Sequence, residues 1–110
     1  MRDRPAPGIR SSGNVFADLG FPDAEERKTK VRLAAAISEL LNQRRLSQNA
    51  VARQLGINQP KVSALLNYKL EGFSVERLMR FLTALDQDID IVIRNKPRSR
   101  RSARIIVSAA

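Results

Sequence analysis

Apolar residues recur at helical spacing in four stretches between residues 23 and 87. Leu33, Ile37, Leu40 and Leu41 follow one another at intervals of four, three and one, which predicts a helix from Asp23 to about Gln43. Three shorter helices follow. Their predicted inward positions are Val51, Ala52 and Leu55; then Val62, Leu65 and Leu66; then Leu78, Phe81, Leu82 and Leu85.

Residues with known capping preferences mark the boundaries of the three short helices. Ser47 and Ser74 precede the second and fourth helices, and their side chains can accept a hydrogen bond from a first-turn amide. The third helix is predicted to start after Asn58. Gly56 stands where the second helix should end, because glycine adopts the left-handed conformation most easily. We therefore expect short helices that start after Ser47, Asn58 and Ser74.

The hydrophobic period changes after residue 87. Ile89, Ile91 and Ile93 alternate with other residues, which is typical of a strand, and the segment ARIIVSA is again β-branched. These two strands would pair as a hairpin within one chain or across a dimer. The predicted fold is mainly α-helical, a bundle of four to five short helices with a C-terminal β-strand or hairpin.

This pattern divides the chain into three parts. Residues 1–14 are rich in Pro, Gly and Ser and are predicted to be a disordered arm. Residues 15–87 form the helical domain, and residues 88–110 contain the first strand, a basic loop and the second strand.

Charge narrows the classes of partner. The chain has 20 Lys and Arg against 11 Asp and Glu, a net charge of +9, and such a field attracts polyanions, most commonly nucleic acid. Cysteine and histidine are both absent, which excludes disulfides, zinc fingers and His-based catalytic or metal sites. We expect no cofactor, no metal and no catalytic residue. No apolar run has the length of a signal peptide core or a membrane span, so a bacterial cytoplasmic location at the nucleoid is expected.

The stretch QLGINQPKVSALL, residues 54–66, carries the main functional signal. On a helical wheel, small and amide-bearing residues fall opposite the apolar side of the third helix. Gln and Asn can bond to an adenine edge, and small apolar groups can contact a thymine methyl. Two short helices joined by a glycine-led turn, the second with this face, fit a helix-turn-helix that reads the major groove. The alternative is ordinary packing of two helices without DNA.

The run LSQNAVARQLGINQPKVSALLNYK, residues 46–69, resembles the Xre/Cro (lambda-repressor-like) family. The matching positions are Ser47, Gln48, Ala52, Gly56, Ile57, Val62 and Ser63. Outside this motif, NVFADLGFPDAEE, GFSVERLMRFLTAL and DIDIVIR are similar to a HigA-type subgroup of antitoxins and regulators.

The resemblance implies roles for individual residues. Gln48 would contact a phosphate and support the recognition helix, and Gln59 would read the first base. Pro60 and Ala64 also match base-reading positions, although neither side chain can donate a hydrogen bond, which leaves methyl contacts or DNA shape. Phosphate contacts are expected from Lys61, Asn67 and Lys69. The full predicted DNA-binding set, within a motif of about 47–67, is Gln48, Asn58, Gln59, Pro60, Lys61, Ser63, Ala64, Asn67 and Lys69.

The resemblance implies a sequence-specific repressor that binds an inverted-repeat operator in double-stranded DNA as a homodimer. It further implies the antitoxin of a HigBA-like pair, with a toxin encoded by a neighbouring gene; the alternative is a stand-alone regulator. The basic stretch 95–104 has two interpretations that rest on its charge: a solvated loop, or non-specific DNA contacts from Arg98, Arg100, Arg101 and Arg104. Val15, Phe16, Leu19 and Phe21 would contact either the toxin or the protein's own helices.

Three other classes compete with DNA binding. The candidate carboxylate pairs for an enzyme are better explained by capping and by the solvent face of a strand, and four short helices offer little room for a catalytic cleft. A membrane-surface protein would rely on the basic tail alone, because the tail lacks apolar residues at helical spacing. A protein-interaction module without DNA is the remaining alternative.

Overall fold

The computed structural model describes residues 23–109, and these residues contain four helices. The predicted arm at residues 1–14 and the apolar positions Val15, Phe16, Leu19 and Phe21 lie outside this part of the chain. The helices are α1 (Asp23–Arg44), α2 (Gln48–Leu55), α3 (Gln59–Leu66) and α4 (Val75–Ala84). The helical part of the predicted fold is confirmed, with boundaries within a residue or two of those expected.

Side chains cap the first turns of the three short helices, at the predicted caps Ser47 and Ser74 and at Asn58. Ser47 Oγ accepts from the Ala50 N–H at 3.1 Å. Asn58 Oδ1 accepts from the Lys61 N–H at 2.9 Å, and Ser74 Oγ accepts from the Arg77 N–H at 3.0 Å. Each bond satisfies an amide that has no partner within its helix.

The core lies between the two helical pairs, with α1 packed along α4 and α2 against α3. The predicted inward positions are confirmed in part, because Leu40, Ala52 and Leu66 are only half-buried. The buried apolar residues are Leu33, Ala34, Ile37, Leu41, Val51, Leu55, Ile57, Val62, Leu65, Leu70, Phe73, Leu78, Phe81, Leu82 and Leu85.

Two side-chain contacts stabilise the two ends of α4. The Phe73 ring, in the connection before α4, meets the Phe81 ring edge-on, with centroids 5.8 Å apart and planes at 75°. This arrangement is favourable for aromatic pairs and fixes the start of α4 against its own second turn. At the other end of the bundle, Arg44 Nη2 donates to the Leu85 carbonyl at 2.6 Å, so a cation lies at the C-terminal ends of both α1 and α4.

The predicted C-terminal strands are wrong for the single chain, since residues 86–109 contain neither helix nor strand. A strand requires a neighbour to accept its backbone hydrogen bonds. Within residues 88–109 the described backbone hydrogen bond closes a local turn, from the Arg100 N–H to the Pro97 carbonyl at 3.2 Å. We call residues 88–109 the C-terminal arm. Ile89 and Val107 of the arm pack against the core, and Arg32 Nη1 of α1 donates to the Ile105 carbonyl at 3.3 Å.

Gly56→Ala is expected to lower the free energy of unfolding by about 1–2 kcal/mol. Gly56 has φ +70°, and an added Cβ would meet no atom within 4 Å, so the cost comes from the left-handed backbone alone. Gly72→Ala is the matched control, because its added Cβ would lie 3.7 Å from Lys61 Nζ, an ordinary contact. The control should be neutral or stabilising by up to about 1 kcal/mol. Urea denaturation measures both, and equal effects at the two positions would contradict the assignment.

Candidate nucleic-acid interface

One face of α3 is exposed and carries no charge. Val62 and Leu65 on the opposite side are fully buried, which fixes the rotation of the helix on the domain. The outward residues are Gln59, Pro60, Ser63 and Asn67, and we call them the α3 face. Ala64, predicted to lie on this face, is half-buried and packs at its edge against the core. A short helix with an outward face of amide, hydroxyl and small groups suits close approach to base edges.

The turn between α2 and α3 places their first turns side by side. Gly56 is left-handed, and the Ile57 N–H donates to the Ala52 carbonyl at 3.0 Å, which closes the end of α2. Ile57 itself is buried and anchors the turn. As a result, Gln59 at the start of α3 donates through Nε2 to Oδ1 of Asn49, in the first turn of α2.

The contact with Asn49 orients the Gln59 side chain. One N–H of its amide is used within the protein, which leaves the carbonyl oxygen and the second N–H for a ligand. An acceptor and a donor side by side match the N6 and N7 edge of adenine. The resemblance implies the supporting role for Gln48, which is exposed at the first position of α2, whereas its neighbour Asn49 makes the contact with Gln59. Both residues are amides in the same turn, and only the packing of the two helices distinguishes them.

Two other amide residues of the predicted DNA-binding set form hydrogen bonds at the ends of α3. Asn58 caps α3 by accepting through Oδ1 from the Lys61 N–H. Asn67 ends α3, and its Nδ2 donates to the Ser63 carbonyl at 2.9 Å. Asn67 Nδ2 also donates to Ser63 Oγ at 3.4 Å. Asn67 Oδ1 and the Ser63 O–H therefore remain as the groups that can face DNA at this end of the α3 face.

Two cationic side chains, Lys61 of α3 and Arg77 of α4, lie over aromatic rings. Lys61 Nζ lies 5.4 Å from the centre of the Phe73 ring, and the Arg77 guanidinium lies 5.7 Å from the centres of both the Phe73 and Phe81 rings. A cation over an aromatic face is attracted to it, so both side chains are restrained beside the first turns of α3 and α4. Lys69 is exposed immediately after α3, in the connection that follows Tyr68.

Tyr68 follows Asn67 in a backbone conformation that favours glycine. It adopts φ +59°, a left-handed conformation that glycine takes at no steric cost, and its side chain is half-exposed. The connection therefore keeps the turn that glycine would make and adds an aromatic ring on the surface.

The distribution of charge favours a polyanion at this surface. Residues 40–70, which include all of α2 and α3, contain no Asp or Glu. The same residues contain Arg44, Arg45, Arg53, Lys61 and Lys69. A phosphate backbone that approached the α3 face would meet positive charge and no acidic side chain.

The predicted arginines of the basic loop lie in the C-terminal arm, apart from the α3 face in sequence. Arg98, Arg101 and Arg104 are exposed. Arg100 is half-buried and donates through Nη1 to the Ser102 carbonyl at 3.2 Å, while Lys96 Nζ donates to the Arg100 carbonyl at 2.9 Å. These bonds shape the loop, on which Arg98, Arg101 and Arg104 are exposed to solvent.

Comparisons with known proteins agree with this geometry. A family model described as a helix-turn-helix domain matches residues 15–94. A solved structure whose name assigns it to the XRE family of transcriptional regulators is 71% identical to this chain, with a TM-score of 0.78. The similarity covers 81% of this chain and 100% of that one. No match was found among curated proteins. No helix within residues 23–109 is long and apolar enough to cross a membrane. The chain belongs to the XRE family of helix-turn-helix transcriptional regulators.

Proposed function

We propose that this helix-turn-helix regulator is a sequence-specific repressor that binds double-stranded DNA through the α3 face. The observation that carries the proposal is that an uncharged, exposed helix face lies within an acid-free stretch of the chain. The uncharged face suits base reading, and the surrounding cations suit phosphate contacts, so the two terms of DNA recognition are separated in space.

The proposed form of binding is a homodimer on an inverted repeat. The α3 helix has eight residues and reaches only a few base pairs, so one copy alone provides little discrimination. Two copies related by a two-fold axis would present two α3 faces about one helical turn apart, roughly 34 Å. The operator would then be an inverted repeat with the same spacing.

Gln59→Ala is expected to weaken operator binding by about 1–3 kcal/mol and to relax preference at one base position, because a paired contact to a base edge is lost. Lys61→Ala is the matched comparison, since this residue lies two positions away in the same helix and would contact a phosphate. It should weaken binding to every sequence alike and reduce the slope of log K against log salt by about one. Fluorescence anisotropy with operator and scrambled duplexes, each over a range of salt, measures both effects.

The two substitutions must differ for the proposal to stand. If Gln59→Ala and Lys61→Ala weaken operator and scrambled DNA by the same factor, the α3 face does not read bases. If neither duplex shows salt-dependent binding to the wild-type protein, DNA binding itself is contradicted, and the interaction module without DNA becomes the better account.

The antitoxin role is part of the same proposal and has separate support. The sequence resembles a HigA-type subgroup in segments on both sides of the recognition motif. The match to the family model starts at Val15, so the apolar segment lies within the matched residues. The toxin would bind Val15, Phe16, Leu19 and Phe21. Expressing the neighbouring gene with and without this protein tests the role. Growth arrest relieved by co-expression supports it, and a neighbour without toxicity leaves a stand-alone regulator.

A further inference from the structure

The C-terminal arm exposes an apolar surface that the domain does not cover. Ile91, Val92 and Ile93 are 73%, 69% and 92% exposed, and Ile105 and Ile106 are 45% and 54% exposed. Isolated exposed apolar residues are common on proteins, but three consecutive β-branched residues at this exposure are not. Such a run has the composition of a strand and lacks a neighbour within the chain.

The arm contacts the domain before this exposed run and again after the basic loop. Ile89 packs against the core before it, and Val107 packs against the core after the basic loop. Arg32 of α1 also bonds to the Ile105 carbonyl, as described above. The exposed run therefore lies between two segments of the arm that contact the domain, where a partner segment can align with it.

The charges around the exposed run are arranged for pairing with an identical segment. Two acidic residues, Asp88 and Asp90, precede the apolar residues, and two basic residues, Arg94 and Lys96, follow them at the same spacing. In an antiparallel pair about a two-fold axis, the acidic end of one segment lies opposite the basic end of the other. Opposite charges on directly facing residues stabilise a strand pair, and like charges destabilise it.

This charge pattern selects one register. With Val92 opposite Val92 of a second copy, Asp90 faces Arg94, Asp88 faces Lys96, and Ile91 faces Ile93. The neighbouring register, with Ile91 opposite itself, leaves Asp90 opposite Val92. It would also need Asp86 opposite Lys96, yet Asp86 is left-handed with φ +65° and its N–H donates to the Thr83 carbonyl at 3.0 Å in the turn that ends α4. Only the first register pairs all four charged residues of 88–96 with one another.

We infer that residues 88–96 of two copies of this chain pair as antiparallel strands in the register that places Val92 opposite Val92. The odd-numbered isoleucines then form one shared apolar face, continuous with Ile89 on the core, and the ion pairs lie on the other face. This inference rests on the proposed homodimer and names its interface. It agrees with the extent of the family model, which continues past α4 to residue 94.

Cysteine cross-linking of the full chain tests the register. The described residues and the whole sequence contain no cysteine, so a single introduced thiol reports one position. Facing residues of a strand pair have Cβ atoms about 4.5–5.5 Å apart, near the span of a disulfide, whereas diagonal neighbours are roughly 7–8 Å apart. Under mild oxidation Val92→Cys should therefore become mainly a covalent dimer, while Ile91→Cys stays mainly monomeric on a denaturing gel. Preferential cross-linking of Ile91→Cys, or of neither variant, would overturn the register.

Charge exchange tests the pairing itself, measured by sedimentation without DNA. The double variants Asp88→Arg/Asp90→Arg and Arg94→Asp/Lys96→Asp should each raise the dimer dissociation constant by about tenfold or more, because like charges then face each other. An equimolar mixture of the two should restore association, since the acidic arm of one variant faces the basic arm of the other. Circular dichroism confirms folding, because all four positions lie outside the core.

The outcomes separate this inference from the proposed function. Loss of association in each variant with restoration in the mixture supports the strand pair, whatever the DNA affinity. Unchanged dimers in every variant, or a wild-type protein that stays monomeric at tens of micromolar, would overturn it. Binding of the arm to a co-expressed neighbour in place of a second copy would also overturn it. The DNA titrations judge the α3 face independently.

Discussion

Leu65→Ala is expected to lower the free energy of unfolding by about 2–5 kcal/mol. Leu65 lies on the inward side of α3 and is fully buried, so the substitution removes apolar contacts and leaves a cavity. Val62 is the other buried residue of this helix, which means that the rotation of α3 on the domain rests on two side chains. The measurement is urea denaturation followed by circular dichroism.

Leu66→Ala provides the control for this substitution. Leu66 is the next residue of the same helix and is half-buried at the edge of the core, so the same chemical change should cost clearly less. Equal losses at Leu65 and Leu66 would contradict the orientation of α3 described above. Equal losses would also contradict the assignment of the α3 face, because that face is the side of the helix opposite Leu65.

Neutralising Arg98, Arg100, Arg101 and Arg104 together is expected to reduce non-specific DNA affinity by at least about tenfold at 0.1 M salt. The reason is that each lost phosphate contact lowers the slope of log K against log salt by about 0.9. Discrimination between operator and scrambled DNA should change little, because the α3 face is untouched. Anisotropy titrations over a range of salt measure the affinity and the slope.

A charge-matched control separates contact from general attraction. Arg98 and Arg101 are exposed in the arm, and Arg27 and Lys28 are exposed on α1. Replacing either pair by alanine removes the same charge, so equal effects would indicate only long-range attraction by the net charge. No effect from the arm substitutions, even at low salt, would leave the basic loop as a solvated segment without a role in binding.

The helices and their caps could be predicted because both depend on neighbouring residues. The side chains of Ser47, Asn58 and Ser74 bond to amides three residues ahead, and the left-handed Gly56 ends its own helix. The outward side of α3 could be predicted for the same reason, since the spacing of Val62 and Leu65 determines which residues point away from the core.

Features that depend on how the helices meet could not be predicted. Ile57, Leu70 and Phe73 are buried in connections between helices, where no periodic pattern identifies them. The hydrogen bond from Gln59 to Asn49 joins residues on two helices, whereas the resemblance assigned the support of the recognition helix to Gln48. The alternation of residues 88–93 is typical of a strand, but alternation alone does not specify a neighbour, and the chain itself provides none within residues 23–109.

The most direct test of the account is selection of binding sites from a pool of random duplexes by the wild-type protein at physiological salt. The account predicts enrichment of an inverted repeat whose half-sites lie about 10 base pairs apart from centre to centre, with an adenine at the position that loses preference in Gln59→Ala. A pool that remains random, although the protein binds DNA, would contradict sequence-specific reading by the α3 face.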